Sequence, residues 1–252
     1  QYPDWFTKLS QNFIKILKDD GSFFLNIKEH CENGQRSLYV MKTIIMMVEA
    51  GWKYIDELIW YKTGLPGGWI NRLRCDFEPV YWFSKDYPSV IEKEIEEGID
   101  EEYLVDEYER IFHFSKQTKI KFYPKSVGKI SNQVSITSPL NKSKNKETGN
   151  ITIKGLKRKG IARPGNVIKL PGNNETWSHP AMFPVGLPEF FIKLTTEKND
   201  TVLDPFLGSG STLIAAEKTG RICYGIDLKP EYIDIVIARW EKLTGKKAEK
   251  ID

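Results

Sequence analysis

Cysteine is scarce in this chain: three in 252 residues, Cys31, Cys75 and Cys223. They are odd in number, widely spaced and form no Cys-x-x-Cys pair. That excludes a disulfide framework and a zinc ribbon, and fits a reducing, cytoplasmic location. Long hydrophobic runs are missing too. No stretch approaches the roughly 20 apolar residues that cross a bilayer, so no membrane partner is expected. Gln1-Tyr2-Pro3-Asp4-Trp5 lacks the basic-then-apolar pattern of a secretory signal, and the lack of an initiator methionine suggests a trimmed or partial chain. No Pro-Pro pair occurs anywhere.

Acids nearly vanish from residues 115–170, which hold fourteen Lys or Arg against Glu147 alone. The opposite bias precedes them: residues 92–109 hold ten acids and one Lys, and the net charge of +3 hides both. The acidic run reads as a solvated helix face or loop. The basic run is long, rich in Ser, Asn and Gly, and carries the cluster Lys154, Lys157, Arg158, Lys159 and Arg163. Such a segment attracts a phosphate backbone by charge and counterion release, so nucleic-acid contact is expected.

A hydrophobic content of 40% suits a globular protein, and 252 residues allow one large domain or one domain plus an insert. Apolar residues at 5, 6, 9, 13, 16 and 17 have helical spacing, so Trp5 to Leu17 is expected to be a helix. Ser22 to Ile27 reads as a buried parallel strand. A helix is expected over Arg36 to Ala50, strands over Tyr54 to Tyr61 and Glu78 to Ser84, and a loop over Gly64 to Gly68. Residues 86–178 break the pattern and read as an insert. Alternating helix and strand resumes at Pro188. The expectation is an α/β fold, a doubly wound and mostly parallel sheet, formed by residues 1–85 and 179–252.

The most informative stretch is Val202-Leu203-Asp204-Pro205-Phe206-Leu207-Gly208-Ser209-Gly210-Ser211-Thr212. It reads as a strand ending in an acid, a glycine-rich turn, and a helix over Ser211 to Thr219. A second strand, Ile222 to Ile226, ends in Asp227. Glycines let the backbone approach a ligand, and a helix N-terminus presents free N–H groups. A strand–turn–helix–strand unit closed by an acid is how an α/β fold holds an adenosine. A nicotinamide site would favour Gly-x-Gly-x-x-Gly, and Leu213 stands at the sixth position here.

The string Asp-Pro-Phe-x-Gly-Ser-Gly-Ser-Thr closely resembles the cofactor motif of the DNA amino-methyltransferases, which methylate adenine N6 or cytosine N4 with S-adenosylmethionine. His179-Pro180-Ala181-Met182-Phe183-Pro184, followed by Leu187-Pro188-Glu189-Phe190-Phe191, resembles the segment that packs over the methionine part of that cofactor. Asp19 to Ile27, Asn71 to Arg74, and Glu78 with Trp82 to Lys85 match the family by position. Catalytic half first, recognition insert next and cofactor motif last is the family's β-class order, and it implies a Rossmann-like methyltransferase fold with 86–178 as the target-recognition insert.

The resemblance implies cofactor contacts from Asp204, Pro205, Phe206, Gly208, Ser209, Gly210, Ser211, Thr212, Asp227, His179 and Phe183. Asp204 takes the methionine end and Asp227 the ribose hydroxyls, with an N-cap of the helix near Pro230 as the alternative for Asp227. Trp82 and Phe83 read as core, and Tyr2 and Trp5 as a border of the target pocket. The family's catalytic motif, an acid, Asn or Ser followed by Pro-Pro and an aromatic, has no counterpart here, and family order puts it ahead of Trp5. Its strand runs, in the family, between the Leu203 and Phe24 strands. The expectation is therefore an upstream segment, a second chain or a homodimer that completes the fold, with no catalytic residue assigned within 1–252. The His-Pro segment and long insert favour cytosine N4 over adenine N6. A catalytically inactive DNA-binding relative is the reading from another class. The resemblance implies double-stranded DNA as the partner, with a cognate restriction endonuclease as an expected companion.

Overall fold

The computed structural model describes residues 1–32, 35–63, 77–86, 120–123, 126–127, 129–131, 142–144, 151–153, 160–162, 165–171 and 182–251. The chain opens with α1 (Tyr2–Ile16), which starts ahead of Trp5 because Pro3 fits a first helical turn, where its missing N–H leaves no bond unmade. Phe6 and Ser10, about one turn apart, face inward. The buried Ser10 hydroxyl donates to the Thr7 carbonyl (2.7 Å) and accepts from the Trp52 indole N–H (3.1 Å).

There follow β1 (Ser22–Asn26), a two-residue ladder of β2 (Cys31–Glu32) with β3 (Gln35–Arg36), α2 (Tyr39–Glu49), β4 (Lys53–Thr63) and β5 (Phe77–Ser84). The α2 helix starts later than Arg36 because Gln35 and Arg36 are taken by the ladder. Inside 86–178 lie two antiparallel ladders, β6 (Lys129–Ser131) with β9 (Gly160–Ala162) and β7 (Lys142–Lys144) with β8 (Ile151–Ile153). β10 (Val167–Pro171) falls in the same stretch but pairs with β4. The chain then forms α3 (Gly186–Thr195), β11 (Thr201–Asp204), α4 (Ser211–Thr219), β12 (Ile222–Gly225) and α5 (Pro230–Thr244).

The main sheet has the order β1-β5-β4-β10. β5 runs antiparallel to both β1 and β4, whereas β4 and β10 are parallel. This corrects two expectations: Ser22 to Ile27 is not paired in parallel, and the described main sheet is not mostly parallel. An apolar run reports burial on both faces, not direction. β1 and β4 do point the same way, joined across α2, with β5 inserted head-to-tail between them. β11 and β12 form a separate parallel pair.

Alternation along β5 divides its side chains between two cores. Tyr81 and Phe83 join Phe6, Leu25, Val40, Met47 and Trp52 beneath α1 and α2. Val80 and Trp82 join Leu58, Trp60, Ile120, Ile168, Leu187 and Phe191 beneath α3. A smaller core under the β11–β12 pair holds Ile192, Ala215 and Ala216, with Val202 and Cys223 against it. Neighbouring residues Phe191 and Ile192 thus serve different cores. Arg221 closes this end: its guanidinium donates to the carbonyls of Thr196 (2.6 Å) and Thr219 (2.5 Å), which follow or end α3 and α4.

The strands holding Phe24 and Leu203 lie in different sheets, and no described strand lies between them. They face one cavity of about 670 Å³, whose walls include Ser22 to Asn26 and Thr201 to Phe206. Lys121 ties the two walls at one end. Its ammonium sits 2.9 Å from Asp200 and 3.7 Å from Asp20, the residues leading into β11 and β1. Its backbone N–H donates to the Asp20 carbonyl (3.2 Å), and that of Tyr123 to Leu194 (2.6 Å). Both strands therefore start from the same end of the cavity.

Candidate functional site

β11 delivers Asp204 to the mouth of the glycine turn. One Asp204 carboxylate oxygen accepts the Phe206 N–H (3.0 Å), an Asx turn that bends the chain away from the strand. Gly208 and Gly210 then take φ of +53° and +81°, a region costly for any residue with a Cβ. At Gly210 a Cβ would also lie 2.8 Å from Val236 Cγ2 on α5. The Leu207 N–H donates to Ile226 (2.9 Å), and the Gly210 N–H returns to Leu207 (2.9 Å). The helical bonds of α4 begin with Ile214 N–H to Gly210, so its first-turn amides have no partner within the helix.

Asp227, just past β12, braces the same turn. One carboxylate oxygen accepts the Gly208 N–H (2.8 Å) and the other the Lys229 N–H at the start of α5 (2.9 Å). Asp227 thus joins turn and helix without capping the helix: the N-cap of α5 is Lys229, and no side chain caps its first-turn amides. A carboxylate has about four acceptor sites, so two bonds leave room for hydroxyl donors. Ser209 is buried; its carbonyl and hydroxyl both accept from Arg239 Nη1, at 2.6 and 3.3 Å. The Ser211 hydroxyl donates to the Phe183 carbonyl (2.9 Å), which binds the segment before α3 to the start of α4.

The structure gathers Asp204, Pro205, Phe206, Thr212 and Phe183 on the wall of the shared cavity. Gly208, Ser209, Gly210 and Ser211 continue the turn that Asp227 braces, and none of these five lines the cavity. Phe206 is 55% exposed, an uncovered aromatic at the cavity rim. Trp82 and Phe83 are buried in opposite cores, and Tyr2 and Trp5 do not line the cavity. His179, Lys154, Lys157, Arg158, Lys159 and Arg163 lie outside the described residues. Burial, then the Asp204 carboxylate, pushes the Cys223 thiol up to about 12, so it stays a protonated packing residue. Among the described residues no acidic, His or Cys cluster suits a metal, and no described helix is long and apolar enough to cross a membrane.

Sequence reasoning missed Lys121 and Arg239. Lys121 is hidden in the basic run. Arg239 sits where α5 turns Val236 inward, and a cation at a core-facing helical position was the available signal.

A small-molecule site commonly measures about 300–1,000 Å³ and combines apolar walls with few polar groups. This cavity has that size, aromatic walls, a carboxylate at the rim and a helix N-terminus beside it. The residues present fit an adenosine-containing ligand with a charged amino-acid end.

The sequence profile of a family described as DNA methylase matches residues 1–238. The chain is 30% identical over 246 residues to the type II methyltransferase M.PvuII of Proteus hauseri, covering 92% of this chain and 68% of that protein. The solved PvuII DNA methyltransferase, described as cytosine-N4-specific, superposes with a TM-score of 0.64 at 24% identity, covering 95% of this chain and 70% of that one. The M1.HpyAVI–SAM complex superposes at 0.51 with 20% identity, covering 95% and 82%.

Proposed function

The chain belongs to the DNA methylase family, and from that premise we propose that it transfers a methyl group from S-adenosylmethionine to the N4 amine of cytosine in duplex DNA. The observation that carries the reading is the turn from Asp204 to Thr212, braced by Asp227 and opening on the cavity. The cytosine assignment rests on the PvuII relative and on the His179–Pro184 segment; adenine N6 is the second reading.

In this proposal the sulfonium of S-adenosylmethionine supplies an activated methyl group for direct transfer. The α4 N-terminus and the Gly208–Gly210 turn accept its polar groups at close range. Asp227 receives the ribose hydroxyls, Asp204 the methionine ammonium, and Phe183 and Phe206 flank the ligand. The exocyclic amine is a weak nucleophile because its lone pair is delocalised into the ring. It needs acceptors that localise the pair and hold it in line. Those acceptors belong to the family's Pro-Pro-aromatic motif, which residues 1–252 do not contain. We assign that motif to an extended segment lying between β1 and β11. Two strand edges that are unpaired among the described residues, tied at a common end by Lys121, support this. With that segment added, the sheet approaches the doubly wound arrangement, with 1–85 and 179–252 as the catalytic unit, β10 and Ile120 packed into it, and the remainder of 86–178 as the recognition insert.

The base must leave the duplex to reach the cavity, and Lys154, Lys157, Arg158, Lys159 and Arg163 are proposed to hold the flanking phosphates. Methylation of DNA with labelled cofactor, followed by mass spectrometry of the nucleosides, tests the reading. N4-methylcytosine supports it and N6-methyladenine moves it to the second reading. DNA binding without methylation, with the Pro-Pro-aromatic segment present, makes the protein an inactive relative. Neutralising Lys157, Arg158 and Lys159 together should lower the log–log salt slope of DNA binding by about 2.7, at about 0.9 per phosphate contact. An unchanged slope turns the cluster toward solvent.

A further inference from the structure

The turn that is proposed to hold the cofactor is held in shape by a group outside it. Two glycines with positive φ flank Ser209, and glycine has the largest backbone freedom to lose. Such a turn is ordered before ligand arrives only if other elements fix its peptide planes. Resting on the cofactor reading above, we infer that Arg239 is a positioning residue that sets the Ser209–Gly210 peptide plane for cofactor binding.

The geometry is specific. The Ser209 carbonyl accepts from Arg239 Nη1 at 2.6 Å, and the same nitrogen lies 3.3 Å from the Ser209 hydroxyl. At the other end of that peptide the Gly210 N–H is bound to Leu207 at 2.9 Å. Both ends are fixed, so the plane cannot flip without breaking two hydrogen bonds. Arg239 is only 7% exposed and Ser209 4%, so water does not replace a lost bond cheaply. One turn earlier on α5, Val236 presses against Gly210 so closely that a Cβ there would overlap it. The same helix begins at the Lys229 N–H bound by Asp227, whose other oxygen holds Gly208. The β12–α5 unit therefore grips all three turn residues, and Arg239 supplies the polar grip on the middle one. A lysine retains the charge but not the planar fork.

The test compares wild type, R239M and R239K as full chains, titrated calorimetrically with S-adenosylhomocysteine, with hydrogen exchange followed across residues 205–213. R239M should bind about tenfold more weakly, with R239K in between. Exchange should rise across 205–213 and stay unchanged in β11. A purely structural role would instead lower the folded fraction and raise exchange throughout α5, leaving the affinity of the folded fraction intact; that result overturns the inference. If R239M does not fold, R239K decides: a several-fold loss supports the inference, and unchanged affinity overturns it. Failure of the wild type to bind overturns the cofactor reading and this inference with it. Wild-type binding with unchanged affinity in both variants overturns the inference alone.

Discussion

The β1-β5-β4-β10 sheet and the β11–β12 pair are built on different principles. The first is buried on both faces by aromatic side chains: Trp52, Trp60, Trp82 and Phe83 are each 5% exposed or less. The second has a small core centred on Ile192, Ala215 and Ala216, while Leu203, Ile222 and Tyr224 are 40–62% exposed. Its shape is set by polar fasteners from Asp227, Arg239, Ser211 and Arg221. One region holds by volume, which is insensitive to the position of any single polar atom. The other holds by hydrogen bonds to chosen backbone groups, which is what a ligand that reads backbone requires. Substitutions in the first should register as stability, and in the second as affinity.

The widest separation should come from Phe83→Ala. The side chain is fully buried among Phe23, Trp52 and Tyr54, and its loss should cost about 3–5 kcal/mol in urea unfolding. Cofactor affinity of the folded fraction should not change; a parallel fall would mean the two regions are not separable. Next in size is Asp227→Ala, which removes the acceptor of two backbone N–H groups and, in our proposal, of the ribose. Affinity for S-adenosylhomocysteine should fall by about 1.5–3 kcal/mol, the range for hydrogen bonds to charged groups. Unchanged affinity by calorimetry would end the ribose assignment.

The smallest effect sits on the border between the regions. Lys121→Met should destabilise by about 1–2 kcal/mol, since the Lys121 side chain is 24% exposed and that of Asp200 19%. Burial raises the Asp200 pKa, but the Glu197 amide and the Lys121 ammonium outweigh it and hold the group below the usual carboxylate range. The hydrogen bond to Asp200, opposed by burial, holds Lys121 above its usual value. The Asp200 contribution is therefore complete above about pH 4 and disappears as pH falls through its lowered folded value. The Lys121 contribution is complete below about pH 10.4 and disappears as pH rises through its raised folded value. The stability gap between wild type and variant should be flat between these limits and close at both extremes. A gap independent of pH would show that Lys121 contributes by packing alone.

The parts legible in the sequence were those with a local signature. The strands over Ser22–Asn26 and Phe77–Ser84 are apolar runs, and the turn from Asp204 to Thr212 is a string whose glycines have only a few uses. Strand direction was not legible, because β5 carries the same Val, Tyr, Trp and Phe whichever way it pairs. β10 was concealed inside a basic stretch, with only Ile168 fully inward. Charge misled in a specific way: of the fourteen cations in 115–170, Lys121 is committed to Asp200 and Asp20 rather than to an outside partner. Arg239 was missed for the same reason, since a helical cation ordinarily faces water.

The adjacency of Phe191 and Ile192 has a mechanical consequence. Side chains next to each other on a helix point about 100° apart, and these two are lodged in different cores. α3 cannot roll about its axis to relax one core without prising open the other. Arg221 denies it the remaining freedom at its C-terminal end, by tethering Thr196 to the end of α4. The helix is thus keyed at two angles, and the two sheets it joins must move as one rigid frame. A frame that cannot roll keeps the distance between its facing edges constant, and a polypeptide strand, about 4.8 Å from each neighbour, is a part that fits only a gauge of fixed width.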